Sequence, residues 1–225
     1  MHGSASNCDP IRKTNEEINV KRYGWILLTC LFILVASVAP VTGAGPVMVA
    51  GPSNYVVGKL GVYIPTSNDL SGYDTGFNGE FAFGHYFNPY LAVELGVGYF
   101  QTEGDVTVVY PGASFPGHEK IEVTPLTGSL KVSIPVNIWV EPYAIAGIGA
   151  YFVHDHIDVS NYYHDNLSDN ATAFGVHLGG GINFNISPNF FIGAECKYVW
   201  LDPSLYGADV NLGGVRLTGN FGVRF

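Results

Sequence analysis

The sequence predicts an all-β fold, with eight antiparallel strands running up and down and closing into a barrel. Three observations predict it. Eight segments between Tyr55 and Phe225 alternate apolar and polar residues with period two, the periodicity of strands. Their connections alternate in length, short on one side and long on the other, as in a meander with an even strand number. The composition suits walls around a narrow interior: of 225 residues 47% are hydrophobic, 13% are charged and 29 are glycine. Charge this sparse beside so much apolar content excludes a disordered chain. A mean hydropathy of +0.20 would suit a bundle of membrane helices, but such a bundle needs several apolar runs of about 20 residues, and the chain has one.

Segment one, near Tyr55 to Ile64, sets Val56, Leu60, Val62 and Ile64 against Lys59 and Gly61. Segment two, near Gly76 to Phe87, sets Phe77, Phe81 and Phe83 against Asn78, Glu80 and Gly84, with His85 falling on the apolar face. Segment three opposes Leu91, Val93, Leu95, Val97 and Tyr99 to Glu94 and its small neighbours. Segment four opposes Leu126, Leu130, Val132 and Ile134 to Thr127, Ser129, Lys131 and Ser133. Segment five, near Pro142 to Val153, is rich in Ala and Gly, and its two faces stay unassigned. Segment six opposes Phe174, Val176, Leu178, Ile182 and Phe184 to His177 and glycines. Segment seven opposes Ile192, Ala194, Cys196, Tyr198 and Trp200 to Gly193, Glu195 and Lys197. In the last, Val215, Leu217, Phe221, Val223 and Phe225 alternate with Arg216, Thr218, Asn220, Gly222 and Arg224.

The short links are Asn88-Pro89, Pro188-Asn189 and the stretch from Pro135 to Glu141; the long ones are Pro65 to Thr75, Gln101 to Lys120, His154 to Asn170 and Asp202 to Asn211.

The single long apolar run is Trp25 to Val41. Lys21 and Arg22 precede it and Thr42-Gly43-Ala44 follows. Basic start, apolar middle and small-residue exit make a secretory signal. A transmembrane anchor is the alternative, but no basic cluster follows Val41. Residues 1–44 are therefore read as an extension plus signal, cleaved near Ala44, with translation starting at Val20 as a hypothesis for the extension. Residues 45–53 form a short lead and 54–225 the barrel. Cys8 and Cys30 precede the cleavage point and Thr29 is a poor neighbour for a lipid-modified Cys30, so Cys196 alone remains and no internal disulfide is expected.

Alternation alone does not say which face is buried, because a water-soluble barrel and a membrane barrel share period two. Three features choose the membrane. The polar faces carry charges of both signs among glycines, which suits a lumen only just wide enough for side chains. Aromatic residues gather in two girdles: Phe87, Tyr90, Trp139, Tyr143, Phe184, Phe190 and Phe225 on the short-turn side, and Tyr63, Tyr99, Tyr151, Phe174, Tyr198 and Trp200 on the loop side. Closure also satisfies every backbone donor, as lipid requires. The expected fold is an eight-stranded antiparallel up-and-down transmembrane β-barrel.

The ending LTGNFGVRF resembles the C-terminal signal of bacterial outer-membrane barrels. The stretch YVVGKLGVYIPTSNDLSGYDTGFNGEFAFGHYFNPYLAVELGVGYF resembles the opening half of small porin-like barrels such as the OmpA transmembrane domain, OmpX, OmpW and the opacity proteins. The likeness covers about residues 54–225. It implies residence in the outer membrane of a Gram-negative cell, contact with its lipid and lipopolysaccharide, and insertion by an assembly machine that reads Phe221, Val223 and Phe225. A monomer is expected.

The inward ionisable set is Lys59, Glu80, Glu94, Lys131, His177, Glu195, Lys197, Arg216 and Arg224. Unpaired charge in so narrow a space is costly, so cross-strand pairs are expected: Lys59 with Glu80, Glu94 with Lys131, and Glu195 with Lys197 or Arg216. Such a network either plugs the lumen or, by exchanging partners, gates it.

After Gly45 the chain holds 16 Asp and Glu against 6 Lys and Arg, a balance that disfavours nucleic acid as a partner. Eleven of the acids lie in the long links. They form either a solvated surface or one that draws divalent cations to lipopolysaccharide phosphates. The third long link holds His154, Asp155, His156, Asp158, His164 and Asp165. These are polar loop residues or, with His154, His156, Asp158 and His164 as ligands, a weak Zn or Ni site. Some relatives of this type modify lipid A with Ser and His near the loop-side membrane edge. Here His177 is luminal, His85 lies at the opposite end, and no Ser–His–acid set is evident. The chain is read as a non-enzymatic barrel without a cofactor, acting structurally or through its external loops. The alternative is a narrow gated channel for small solutes or apolar molecules.

Overall fold

The computed structural model describes residues 53–110, 113–134, 136, 139–159, 167–205 and 208–225. The expected signal, the start at Val20 and nearly all of the lead lie outside the described residues. The strands are β1 (Asn54–Pro65), β2 (Gly76–Asn88), β3 (Leu91–Tyr110), β4 (Ala113–Ser133), β5 (Val140–Val159), β6 (Leu167–Asn185), β7 (Phe190–Leu201), β8 (Ser204–Leu205), β9 (Ala208–Asp209) and β10 (Gly214–Arg224). Eight of them close into a barrel in the order β1-β10-β7-β6-β5-β4-β3-β2, and β8 and β9 form a separate two-stranded hairpin in the last long connection. Every barrel neighbour is antiparallel. The closing seam runs from Tyr55↔Arg224 to Pro65↔Gly214. It ends in two backbone bonds, Asn54 N–H to Phe225 O at 3.2 Å and Phe225 N–H to Asn54 O at 2.9 Å.

Polarity is inverted relative to a water-soluble protein. Lys59 and Arg216 are each 1% exposed, whereas Leu95 is 65% and Phe174 87% exposed. Alternation produces this directly: one parity of each strand points inward, and the other forms an apolar outer belt. Segment five takes the same form. Tyr143, Ile145, Tyr151 and Val153 point inward and are buried, while Ile148 and Phe152 face outward.

Three expectations change. The expected girdles include Tyr63, Tyr143 and Tyr151, but all three are buried in the interior. Their strand parity, which outranks their nearness to a strand end, decides this. The links Gln101 to Lys120 and His154 to Asn170 are largely strand, with β3–β4 pairing continuing to Tyr110↔Ala113 and β5–β6 to Ile157↔Leu167. Val106, Thr107, Val108 and Val109 are β-branched and favour a pleated backbone. Outward cross-strand pairs also support the extension, Asp105 with His118 at 2.9 Å and Glu103 with Lys120 at 3.9 Å. Finally, the last long link carries the β8–β9 hairpin.

The interior is stratified. Its loop-side half is apolar: Tyr63, Phe100, Ile121, Val123, Tyr151, Val153, Val199 and Leu201 pack with Leu70, Leu205 and Leu212 from the first and last long connections. These connections are fastened by Tyr63 O–H to Leu212 O at 2.8 Å and by Asn211 N–H to Asp69 Oδ2 at 2.8 Å. Charged side chains occupy the middle, and rings gather at the short-turn end. Large inward groups lie over glycine on the neighbouring strand. Tyr55 pairs with Gly84, Phe191 with Gly222, Tyr143 with Gly181 and His177 with Gly147. In each case a Cβ on the glycine would collide with the facing ring.

Replacing Leu95 by Arg in the middle of the outer belt is expected to cost about 2–4 kcal/mol, read by urea unfolding in phosphatidylcholine vesicles. Asn170→Arg, exposed on the loop-side extension of β6, is expected to stay within about 0.5 kcal/mol. Equal losses at the two positions would contradict a lipid-facing belt.

Candidate functional site

The centre of the lumen is built from inward positions of β1, β2, β3, β7 and β10. Lys59 and Glu80 stand directly opposite one another in register, and their Nζ–Oε1 distance is 3.0 Å. Lys197 and Arg216 are also directly opposed, which for two like charges is repulsive. Glu80 resolves this by reaching both, with Oε2 at 3.0 Å from Lys197 Nζ and 2.9 Å from Arg216 Nη2. Lys59 further contacts Glu94 at 2.5 Å and Glu195 at 3.3 Å, and Lys197 contacts Glu195 at 3.0 Å. Three carboxylates thus meet three cations in a water-poor space, where each charge is tolerable only with its partners in place. Neutral donors complete the shell: Tyr55 O–H to Glu94 at 2.9 Å, Tyr143 O–H to Glu195 at 2.8 Å and Asn220 N–H to Tyr143 Oη at 3.0 Å. Arg216 also donates from Nε to Asn78 Oδ1 at 2.8 Å.

One expected pairing differs. Glu94 does not meet Lys131, because the register sets Glu94 opposite Ser129 and Lys131 opposite Ala92. The Lys131 ammonium instead lies 4.1 Å from the centre of the Tyr143 ring and 5.1 Å from that of Tyr55, with Phe191 and Tyr86 at 5.9 and 6.0 Å. Ring quadrupoles there replace a carboxylate as the counter-charge. Glu195 meets Lys197, as one alternative had it, but it meets Lys59 rather than Arg216.

At the short-turn end Arg224 contacts Glu141 at 2.9 Å and donates to Asn185 Oδ1 at 2.8 Å, with its guanidinium 4.6 Å above the Phe191 ring. Glu141 also accepts from Tyr86 at 2.8 Å and Ser133 at 2.9 Å. The sequence reading missed Glu141 by placing it in a short link. Its parity with Tyr143 and Ile145 marks it as inward once β5 is seen to start at Val140. Tyr55 and Tyr143 were missed as network members, since hydroxyl donors carry no charge to signal them.

His177 is luminal, with Nε2 at 2.9 Å from Ser129 Oγ. This Ser–His contact was not anticipated. Among the described residues Nδ1 of His177 is buried without a hydrogen-bond partner, so no described acid orients the ring.

The metal candidates do not converge. His154 lies on the outer face of β5 and pairs with Asn170 through Nδ1, whereas Asp155 points to the buried side. The side chain of Asp158 and the whole of His164 lie outside the described residues. Among the described residues, no three His, Cys, Asp or Glu side chains come together in a way that could hold a metal ion. Phe221 and Val223 project outward from β10 and Phe225, just after it, is exposed as well, with the rings of Phe225 and Phe83 6.5 Å apart.

Residues 28–225 match the family model described as the outer membrane protein beta-barrel domain. Three solved structures are similar in fold. Neisserial surface protein A aligns at 16% identity over 76% of this chain and 97% of its own, with a TM-score of 0.54. A major outer membrane protein of Thermus thermophilus aligns at 14% identity over 77% and 98%, with a TM-score of 0.56. OprG of Pseudomonas aeruginosa aligns at 15% identity over 78% and 97%, with a TM-score of 0.50. Among curated proteins no sequence matches the chain.

Glu80→Gln leaves Lys59, Lys197 and Arg216 short of one anion and is expected to cost about 3–5 kcal/mol, measured by urea unfolding in vesicles. Adding Lys197→Met removes one surplus cation, so the double variant should be more stable than Glu80→Gln alone. A double variant that is no more stable would show that charge balance does not set the cost.

Proposed function

The chain belongs to the outer membrane protein β-barrel family and resides in the bacterial outer membrane, and from that premise we propose that it is a non-conducting surface barrel whose contacts are made by its long external hairpins. One observation carries this reading: the lumen is filled in three successive layers. The Lys131 ring cluster and the Arg224–Glu141 pair occupy one end. The Glu80-centred ion network crosses the middle. The apolar layer, with Leu70, Leu205 and Leu212 inserted from the connections, fills the loop-side half. An ion entering would have to displace both buried charge pairs and close-packed apolar side chains. Outside the barrel, β3–β4 and β5–β6 continue as paired strands beyond the lipid belt, which supports them as a firm platform for surface contact.

The Ser129–His177 pair supports no reaction in this reading. It is enclosed within the filled lumen and, among the described residues, its imidazole has no acid partner on Nδ1. A second reading, a gated passage, draws on the shared partners of the network. Lys197 and Lys59 each touch both Glu80 and Glu195, so a change of partner needs only small side-chain movement.

Planar-bilayer recordings separate the two. Wild type and Glu80→Ala are both expected to show no unitary conductance steps, and proteoliposomes no swelling in small sugars. Reproducible steps in wild type that change size in Glu80→Ala would establish the passage instead.

A further inference from the structure

Beyond the lipid belt the barrel wall becomes an open sheet. β3 and β4 stay paired to Tyr110↔Ala113, and β5 and β6 continue beside them, but β2 begins only at Gly76. The connection before β2 follows β3 as far as the Tyr73↔Gly104 bridge and the bond from Asp74 N–H to Glu103 O at 2.8 Å. Among the described residues no strand pairs with that side of β3 beyond Asp105. Tyr99 marks the edge of the belt on β3, its hydroxyl 2.7 Å from both Gln101 Oε1 and Glu122 Oε1. At about 3.3 Å per residue and a strand tilt of about 40°, Thr107 and Val109 stand about 20–25 Å beyond Tyr99. The headgroup layer adds only about 5–8 Å to the hydrocarbon, so this edge stands clear of the lipid.

Backbone direction along this edge follows from parity. Glu103 turns its C=O toward the β2 side, and β3 keeps one register with β4 from Phe100↔Val123 to Tyr110↔Ala113, without a bulge. In such a strand alternate residues bond to alternate neighbours, so Thr107 and Val109 turn their N–H and C=O groups away from β4, to the open side. Pro116 stands opposite Thr107, and a residue without an N–H fits a rung whose amides point away from this ladder. Open edges are normally guarded by Lys, Pro, a bulge or a charge. The run Val106-Thr107-Val108-Val109-Tyr110 has none of these and no Gly, a composition that seeks strand partners. The opposite margin of the sheet differs. There β6, before its pairing with β7 starts at Gly175, carries Asp169 and Asn170, which strands disfavour. The β3 edge is also self-complementary. An antiparallel copy centred on Val108 sets Thr107 opposite Val109 and Val109 opposite Thr107, so each open N–H meets an open C=O. Copies in one membrane all run β3 outward from the cell, and about an axis along the membrane normal their tilted edges would cross at about 80°. Copies in two facing membranes run antiparallel.

We propose that the β3 edge at Thr107 and Val109 pairs with the same edge of a second copy held in a facing membrane, a homotypic contact that joins two surfaces. The proposal names a partner for the external hairpins and rests on that reading. One contact is small, so many copies on each surface act together. Purified barrel is reconstituted in phosphatidylcholine vesicles, and tethering of vesicles is followed by light scattering. A membrane-impermeant amine reagent checks outward placement at Lys120, whose side chain is 40% exposed. Wild-type vesicles should tether. Thr107→Pro with Val109→Pro removes two edge donors and spares the β3–β4 ladder, so it should keep the heat-shifted gel mobility of a folded barrel yet slow tethering about a hundredfold. Two further variants leave every N–H in place. Thr107→Lys with Val109→Lys and Thr107→Glu with Val109→Glu should each fail to tether alone, because like charges then face one another, but the two populations mixed should tether. The proposal is overturned if wild-type vesicles do not tether, if the proline variant tethers at the wild-type rate or to wild-type vesicles, or if the Lys and Glu populations do not tether when mixed. With Lys120 labelled in such a case, the external-hairpin reading stands without the proposal; with Lys120 protected in intact vesicles, both fall.

Discussion

The structure depends on the seam between β1 and β10. In hydrocarbon an unpaired backbone N–H or C=O costs several kcal/mol, so an open sheet edge has no stable form there. The continuous register from Tyr55↔Arg224 to Pro65↔Gly214 removes both edges at once. Once the sheet closes, the faces are no longer equivalent. The outer face meets lipid and takes the apolar parity, and charged side chains have only the interior left. The seam therefore explains why Lys59 and Arg216, on its two strands, are among the most buried side chains in the protein.

Forcing charge inward sets the next requirement, neutrality within reach. Glu80 meets it for three cations at once. Lys131 meets it without any carboxylate within ion-pair distance among the described residues, by lying against tyrosine rings. The two solutions follow from strand register: Lys59 faces a carboxylate across the sheet, whereas Lys131 faces Ala92. The interior thus holds one ionic layer and one cation–ring layer. The two layers share Tyr55 and Tyr143, whose rings face Lys131 and whose hydroxyls donate to Glu94 and Glu195, and the apolar layer closes the loop side of the ionic one.

Much of this was legible in the sequence. Period two assigned the faces of seven of the eight barrel strands, and the paired signs of Lys59 and Glu80 foretold their contact. The rest depended on quantities that a single strand does not carry. The register that separates Glu94 from Lys131 is a property of two strands together. Segment five stayed ambiguous because Ala and Gly fit either face. The long links read as loops because their acidic residues suggested solvent, yet Asp105 and Glu103 find cross-strand partners that favour an extended chain. Tyr63, Tyr143 and Tyr151 sat near strand ends, where aromatic residues fit a girdle, and only parity revealed them as interior.

The glycines facing inward acquire a further meaning from the rings that cover them. Tyr55 over Gly84, Phe191 over Gly222 and Tyr143 over Gly181 are each a tooth and its socket on adjoining strands. A slip of one residue turns every tooth toward the lipid. A slip of two sets Tyr55 against Ala82 or Tyr86, and the socket is gone. These pairs therefore work as alignment keys that admit one pairing of strands as the barrel closes. Because tooth and socket must fit together, either can change without loss only if its counterpart changes too.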